Sequence, residues 1–407
     1  MLTFKLAIRN LFRNTRRTTL TAILISFSLI ALIMADGLIL GMKDLLVSSL
    51  TKNLVGEAQL HRMGFRDNFD VDLYFTGTDD LVADLRGRPE VTEVASRVLS
   101  GGMVSSSYNV ATGMVFGIDA EAEARIGNIK KAIIEGQYLT GERGEIMLGR
   151  PMAELLEVSL GDRIVITLSE ADGGDLSQAL FRVSGIYYFG LREIDHNTVF
   201  INADQARQAV GISADASHEL VMVFEDSSVS REKTSTVFDD FNNEQLELKS
   251  WMELNEDIAT MLELSGLSTL IIGSILFLLA SLGVINSMFM SIYERLYEFG
   301  VARAIGTTPW QLAQLILCEA LLLGIGSCLF GGVIGYGLIS YTTLHGLPLG
   351  EFEMSGIALS GNIATQMQLS QFTELPFYII LLTLVAALYP ARFASKIVPT
   401  EALSRSL

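Results

Sequence analysis

The chain has 407 residues, half of them hydrophobic, with a mean hydropathy of +0.40 and a formal net charge of −17. Such apolarity points to a membrane protein rather than an ordinary soluble globule. The acidic balance excludes the basic face that nucleic-acid binding demands.

The charge is unevenly placed. Residues 43–263 carry 19 basic and 38 acidic side chains, and the remainder carries 10 and 8. The acidity therefore belongs to one water-soluble block. The two cysteines, Cys318 and Cys328, fall in an apolar stretch, so that block is not a disulfide scaffold.

At the N-terminus, Phe4, Ala7, Ile8, Leu11 and Phe12 recur at helical spacing, with Lys5, Arg9, Arg13 and Arg16 between them. Residues 1–17 read as an amphipathic helix on the cytoplasmic leaflet, a pattern that also serves as a plain positive-inside flank. Residues 18–42 form the first span, with Asp36 as its one charge. Its apolar run is too long for a signal-peptide core and no A-x-A site follows, so it reads as an uncleaved anchor.

The block from 43 to 263 opens and closes with helical spacing, at Leu45, Leu46, Leu50 and Leu54 and again at Leu254, Ile258, Met261 and Leu262. Both ends read as stalks that extend the spans. Between them, 56–61, 110–118, 162–168, 181–188, 198–201 and 219–224 read as strands, and 150–158 and 203–210 as helices. Gly173-Gly174, among Asp and Ser, marks a turn or hairpin tip within 169–180. The block is an α+β domain of about 200 residues, an ordinary size for one domain.

Three further spans follow at 264–293, 309–344 and 375–391. Thr308, Pro309 and Gln311 form a helix start, a cap with proline at the first helical position. The Gly331-x-x-x-Gly335 pair suits close packing against a neighbouring span. Glu319 is the one charge in the third span; together with Asp36 it is a candidate either for structural pairing or for a proton path. Lys5, Arg9, Arg13, Arg16 and Arg17, then Arg295 and Arg303, then Arg392, Lys396 and Arg405 lie on one side, while 345–374 holds no Lys or Arg. The positive-inside rule then places both termini and the 294–308 segment in the cytoplasm. The acidic domain and the 345–374 loop lie outside, and 392–407 is a cytoplasmic tail.

Catalytic signatures are missing. There is no Walker A sequence, no H-E-x-x-H and no Cys/His cluster. Asp195-His196 reads as a surface loop pair, with no G-x-S-x-G to accompany it. The fold expected is a membrane protein with an α-helical four-span bundle and an inserted α+β extracytoplasmic domain.

Three segments carry a family resemblance. They are Ala7–Asn14 with Arg16 and Arg17; Tyr293-Glu294-Arg295-Leu296-Tyr297-Glu298-Phe299-Gly300 through Arg303-Ala304-Ile305-Gly306; and Tyr389-Pro390-Ala391-Arg392 with Pro399-Thr400-Glu401-Ala402-Leu403. Together they resemble the FtsX-like/MacB-like permeases of ABC transporters. The resemblance implies a permease in the bacterial inner membrane that pairs with a second copy or a paralogue and binds a cytoplasmic ABC ATPase dimer. It implies no cofactor and no catalysis in this chain, since ATP would be bound by the partner subunit. It also implies that Glu294, Arg295, Glu298, Phe299, Arg303, Ala304, Ile305 and Gly306 form the ATPase-coupling segment, with the charged members pairing across that interface.

Gly56 to Phe65 and Phe116-Gly117-Ile118-Asp119 are similar to stretches of lipoprotein-releasing permeases of the LolC/LolE type. That likeness implies lipoprotein release, with membrane lipid, a lipoprotein and a periplasmic carrier or adaptor as partners. The alternatives are MacB-like tripartite efflux of a drug, peptide or toxin, and regulation of a cell-wall hydrolase.

Overall fold

The computed structural model describes residues 2–348, 350, 352–354, 357–359 and 362–398. Two compact units emerge, one helical and one built on a large sheet. Among the described residues, four helices are long and apolar enough to cross a membrane.

In the helical unit, α1 (Leu2–Arg13) stops at Asn14 and α2 (Thr15–Leu50) begins at once. Residues 15–17 thus belong to the membrane helix and not to the amphipathic one. The next helices are α3 (Glu256–Glu294), the short α4 (Leu296–Ala304), α5 (Pro309–His345) and α6 (Ser370–Ser395). The fourth span is longer than its charge-free run, because Glu374 and Arg392 lie inside α6. Thr308 and Gln311 make the reciprocal capping box that starts α5.

One side of each long helix meets the bundle core: Ile25, Leu29 and Ile33 on α2, Val284, Met288 and Ile292 on α3, Leu312 and Ile316 on α5. Each series keeps a spacing of four, the period of one helical face. Helices α2 and α5 approach closely. A Cβ on Gly331 would stand 3.0 Å from Ser26 Cα and Ser26 O, and one on Gly335 would stand 2.9 Å from Ile33 Cδ1. Ser26 Oγ donates to Ser327 O at 2.9 Å across the same seam. In lipid, where no hydrophobic force drives helices together, such contacts hold the pair. Further along α2, Asp36 accepts from the buried Gln371 Nε2 of α6 at 2.9 Å.

Helix α2 gives way to a π-helical turn, Thr51–Val55, that ends at Gly56 with φ +69°. A side chain there would strike Val221 as well as strain the backbone. The main sheet that follows has ten strands: β1 (Ala58–Arg62), β2 (Val91–Ser105), β3 (Val110–Ile118), β4 (Ile133–Gly136), β5 (Glu145–Gly149), β6 (Arg163–Ser169), β7 (Leu176–Tyr187), β8 (Thr198–Asn202), β9 (Glu219–Phe224) and β10 (Leu246–Ser250). They form one sheet in the order β10-β1-β9-β2-β3-β8-β5-β7-β4, with β6 laid against β2 and β7. The β3–β8 and β5–β7 pairs are parallel and the rest antiparallel.

Strand β2 is the spine, and sequence periodicity missed it. Its residues do not alternate in burial, because both faces are covered, and Gly101-Gly102 interrupts the β-forming run. The segment before α3 also differs from a continuous stalk. Trp251–Leu254 is a separate turn closed by a Ser250/Glu253 capping box, and α3 starts afresh at Glu256.

On one face of the sheet Leu60, Leu220 and Leu248 lie in register over Phe238 and Phe241. The other face carries a cross-strand row of polar groups: Glu247, His61, Glu219 and Arg97. Arg97 is 1% exposed and bonds Glu219 at 2.8 Å and Glu123, which reaches in from the short helix Ala120–Ile126. Burial works against the guanidinium charge, but the two carboxylates outweigh it and hold the Arg97 pKa above its ordinary value.

Asp195 is not the surface residue its setting suggested. It is buried and accepts the backbone N–H of Phe189 and Gly190 at 2.8 Å each, while His196 is exposed. It closes a loop and has no catalytic partner in that arrangement.

Two outcomes follow from these contacts. Gly331→Ala should cost about 1–3 kcal/mol, because backbone is in the way, and Gly335→Ala less, because only the Ile33 side-chain tip must yield. Thermal unfolding of the two variants in detergent checks the order. His61 is fully buried with neither ring nitrogen bonded, and its pKa falls to about 3, first through burial and then through Arg66 and Lys249. The unfolded chain takes up a proton near pH 6.5 that the folded domain refuses, so stability falls as pH drops from about 6.5 toward 3. The slope should approach about 1.4 kcal/mol per pH unit. Hydrogen exchange of β1 amides should show it, and His61→Gln should flatten it.

Candidate coupling site

Helix α3 would run on into α4 but for Arg295, whose backbone leaves the helical region at φ −112°, ψ 14°. The break sets three charged side chains at one corner: Glu294 ending α3, Arg295 at the joint and Glu298 in the first turn of α4.

Helix α1 and the start of α2 supply their partners. Arg17 Nη1 donates to Glu294 Oε2 at 2.7 Å and Asn14 Nδ2 donates to the same oxygen at 2.8 Å. Arg13 pairs with Glu298 at 2.6 Å. Arg295 Nη1 donates to Glu319 Oε1 at 2.9 Å, and Asn10 Nδ2 donates to that oxygen at 2.5 Å. Burial works to raise the Glu298 pKa, but Arg13 and Arg295 hold it below the ordinary carboxylate value.

The charged residues that the motif marks for a partner interface are thus engaged within the chain. Phe299 is also turned inward: it is 3% exposed in the bundle core, with the Arg295 guanidinium 4.9 Å from its ring centroid. Arg303 Nη1 donates to Thr307 O at 2.9 Å, and its buried Nε has no partner. What the segment presents outward is Tyr297, Ala304, Ile305 (82% exposed), Gly306 and, on α5, Trp310. Gly306 has φ +110°, a conformation that suits glycine, and it lets the chain leave α4 sharply.

Sequence reasoning found this segment but not the residues that hold it. Asn10, Asn14 and Arg17 lie at spacings of four and three, a one-face pattern that was available. Glu319 had been weighed as pairing or proton path. It is 4% exposed and bonded to Arg295 and Asn10, whereas Asp36 bonds Gln371, so each has separate structural partners. Of the C-terminal motif, Pro390 and Ala391 are buried in α6 and Tyr389 meets Phe289 edge-on at 5.3 Å. Pro399, Thr400, Glu401, Ala402 and Leu403 lie outside the described residues, as does Arg405.

Comparison with known proteins agrees with this architecture. Residues 18–236 match the MacB-like periplasmic core domain, and residues 270–399 match the FtsX-like permease C-terminal region. These matches make the chain an ABC transporter permease of the LolC/LolE/MacB type. The chain belongs to the FtsX-like/MacB-like permease family. It is 21% identical over 402 residues to the lipoprotein-releasing system transmembrane protein LolC of Neisseria meningitidis, covering 92% of this chain and 94% of that one. It is 21% identical over 338 residues to the LolE protein of Haemophilus influenzae, covering 79% of each. It is 31% identical over 167 residues to the probable export ATP-binding/permease protein MacB of Pseudomonas entomophila, covering 40% of this chain and 21% of that one.

The burial difference between the ion pairs has a measurable consequence. Glu319→Ala leaves Arg295, whose side chain is 13% exposed, with only its 3.4 Å contact to Glu298 and should cost about 3 kcal/mol. The Arg13–Glu298 pair, with side chains 65% and 40% exposed, should be worth about 0–1 kcal/mol. Double-mutant cycles on thermal unfolding should give a coupling several times larger for the first pair than for the second.

Proposed function

We propose that this chain is the permease subunit of an ABC transporter that releases lipoproteins from the bacterial inner membrane. A separate cytoplasmic ATPase dimer would bind and hydrolyse ATP. A second copy or a paralogue would complete the transmembrane part, with both termini in the cytoplasm and the sheet domain outside. The observation that carries this reading is the LolC similarity, which runs through both the membrane helices and the inserted domain.

The mechanism fits the parts described. The exposed surface of α4, Tyr297 and Ile305 above all, would seat on the ATPase. Its movement would reach α1, α2 and α5 at once, because Glu298 is bonded to Arg13 of α1, Glu294 to Asn14 and to Arg17 of α2, and Arg295 to Glu319 of α5. Helices α2 and α3 would carry that movement toward the sheet domain. An acylated cargo would lie between the outer halves of these two helices, where the outward face of α3 offers Leu267, Leu270 and Ile271. ATP would bias a two-state arrangement of the permease pair, and cargo would be released in one of the states.

MacB-like efflux is the second reading, favoured by the higher local identity to MacB. Mass spectrometry of material co-purified in mild detergent separates the two. Lipoprotein release requires a Walker-type ATPase and an acylated protein; an ATPase with a periplasmic adaptor and no acylated cargo would instead support efflux. Recovery without any ATPase would overturn the transporter assignment for this chain. In the same preparation Ile305→Asp should lower ATPase recovery at least tenfold, with unfolding temperature unchanged, since the side chain is almost fully exposed.

A further inference from the structure

Five basic side chains, Lys5, Arg9, Arg13, Arg16 and Arg17, cluster at the N-terminus, and the structure divides them. Arg13 and Arg17 are engaged with Glu298 and Glu294. Lys5, Arg9 and Arg16 are exposed, and among the described residues none of them has an acidic partner.

Helix geometry accounts for the division. At about 100° per residue, Ala7, Asn10 and Leu11 fall on one side of α1, and that side is seated on the bundle. The opposite side carries Lys5, Ile8, Arg9 and Phe12, with Phe4 at its margin; Phe12 is 75% exposed and Phe4 49%. Helix α1 has no acidic residue at all. The exposed apolar surface continues into α2 through Leu20, Ile23 and Phe27, on a helix apolar enough to cross a membrane.

We propose that this outward face of α1 binds anionic phospholipid headgroups. The aromatic and aliphatic side chains enter the boundary between headgroups and acyl chains, and Lys5 and Arg9 of α1, together with the exposed Arg16 at the start of α2, take the phosphates. Alternating apolar and basic groups on one helical face suit a bilayer surface, and the charge is complementary to an anionic leaflet. The unbroken run of apolar surface into a membrane helix favours lipid over an acidic protein. The opposite face holds the coupling corner, so headgroup binding on one side of a single helix would steady the corner on the other.

The test is lipid binding by the full-length chain in detergent, read by native mass spectrometry during titration with phosphatidylglycerol or phosphatidylcholine. A preference of at least about tenfold for phosphatidylglycerol is expected, as three cations near an anionic surface contribute about fivefold each before salt screening. The Lys5→Gln/Arg9→Gln/Arg16→Gln variant should lose that preference and keep its phosphatidylcholine binding. Phe12→Ala should weaken both lipids. Should the triple variant misfold, Arg9→Gln alone must lower the preference severalfold. Equal preference in wild type and variant would overturn the proposal, as would displacement of the lipid by millimolar inorganic phosphate. Loss of ATPase co-purification with lipid selectivity intact would overturn it in favour of a protein partner.

Discussion

A single carboxylate, Glu319, joins three segments that lie far apart in the chain. It sits ten residues into α5, almost fully buried, and receives Asn10 from α1 and Arg295 from the joint that separates α3 from α4. A carboxyl group in such a place is tolerated only when its oxygens find hydrogen-bond partners. Because those donors come from different segments, the requirement fixes α1, the joint and α5 together. The bend at Arg295, the inward turn of Phe299 and the outward display of Ile305 all depend on that constraint.

The same rule operates in the sheet domain with the opposite charge at its centre. Arg97 lies under two carboxylates in the middle of the sheet, on strands flanked by aliphatic layers. The surrounding surface is strongly acidic, so a buried cation gives local register to a domain whose exterior charge is repulsive. Both units therefore combine an apolar core, which confers stability, with one buried ionic group that selects a particular arrangement of elements.

These two features differ in how far the sequence revealed them. Long charge-poor apolar runs have few competing explanations in a soluble core, so the four membrane helices were legible, with α6 extending past its flanking charges. Short β-forming runs bounded by turn residues were legible as well; β3 and β9 were read at their observed limits. Strand β2 was not, because it is covered on both sides and carries a buried arginine where an exposed one would be expected. The corner at 294–306 was legible as a motif, but the partners of its charges within the chain were not. Helical spacing tells which residues share a face and says nothing of what lies against it, and Asn14 and Glu294 are separated by 280 positions.

The two strands through which the chain enters and leaves the sheet domain are neighbours. Strand β1 begins beside the point where β10 ends, with Ala58 opposite Ser250, and Trp251 N donates to Glu57 O at that junction. Strand β10 is the edge of the sheet. Force that separated the two connecting helices would act at one end of one strand pair and open it like a zipper, one hydrogen bond after another. Force that moved both helices together would leave the pair unstressed and carry the whole domain along. The topology thus makes the domain weak against divergence of its two tethers and stiff toward their common displacement.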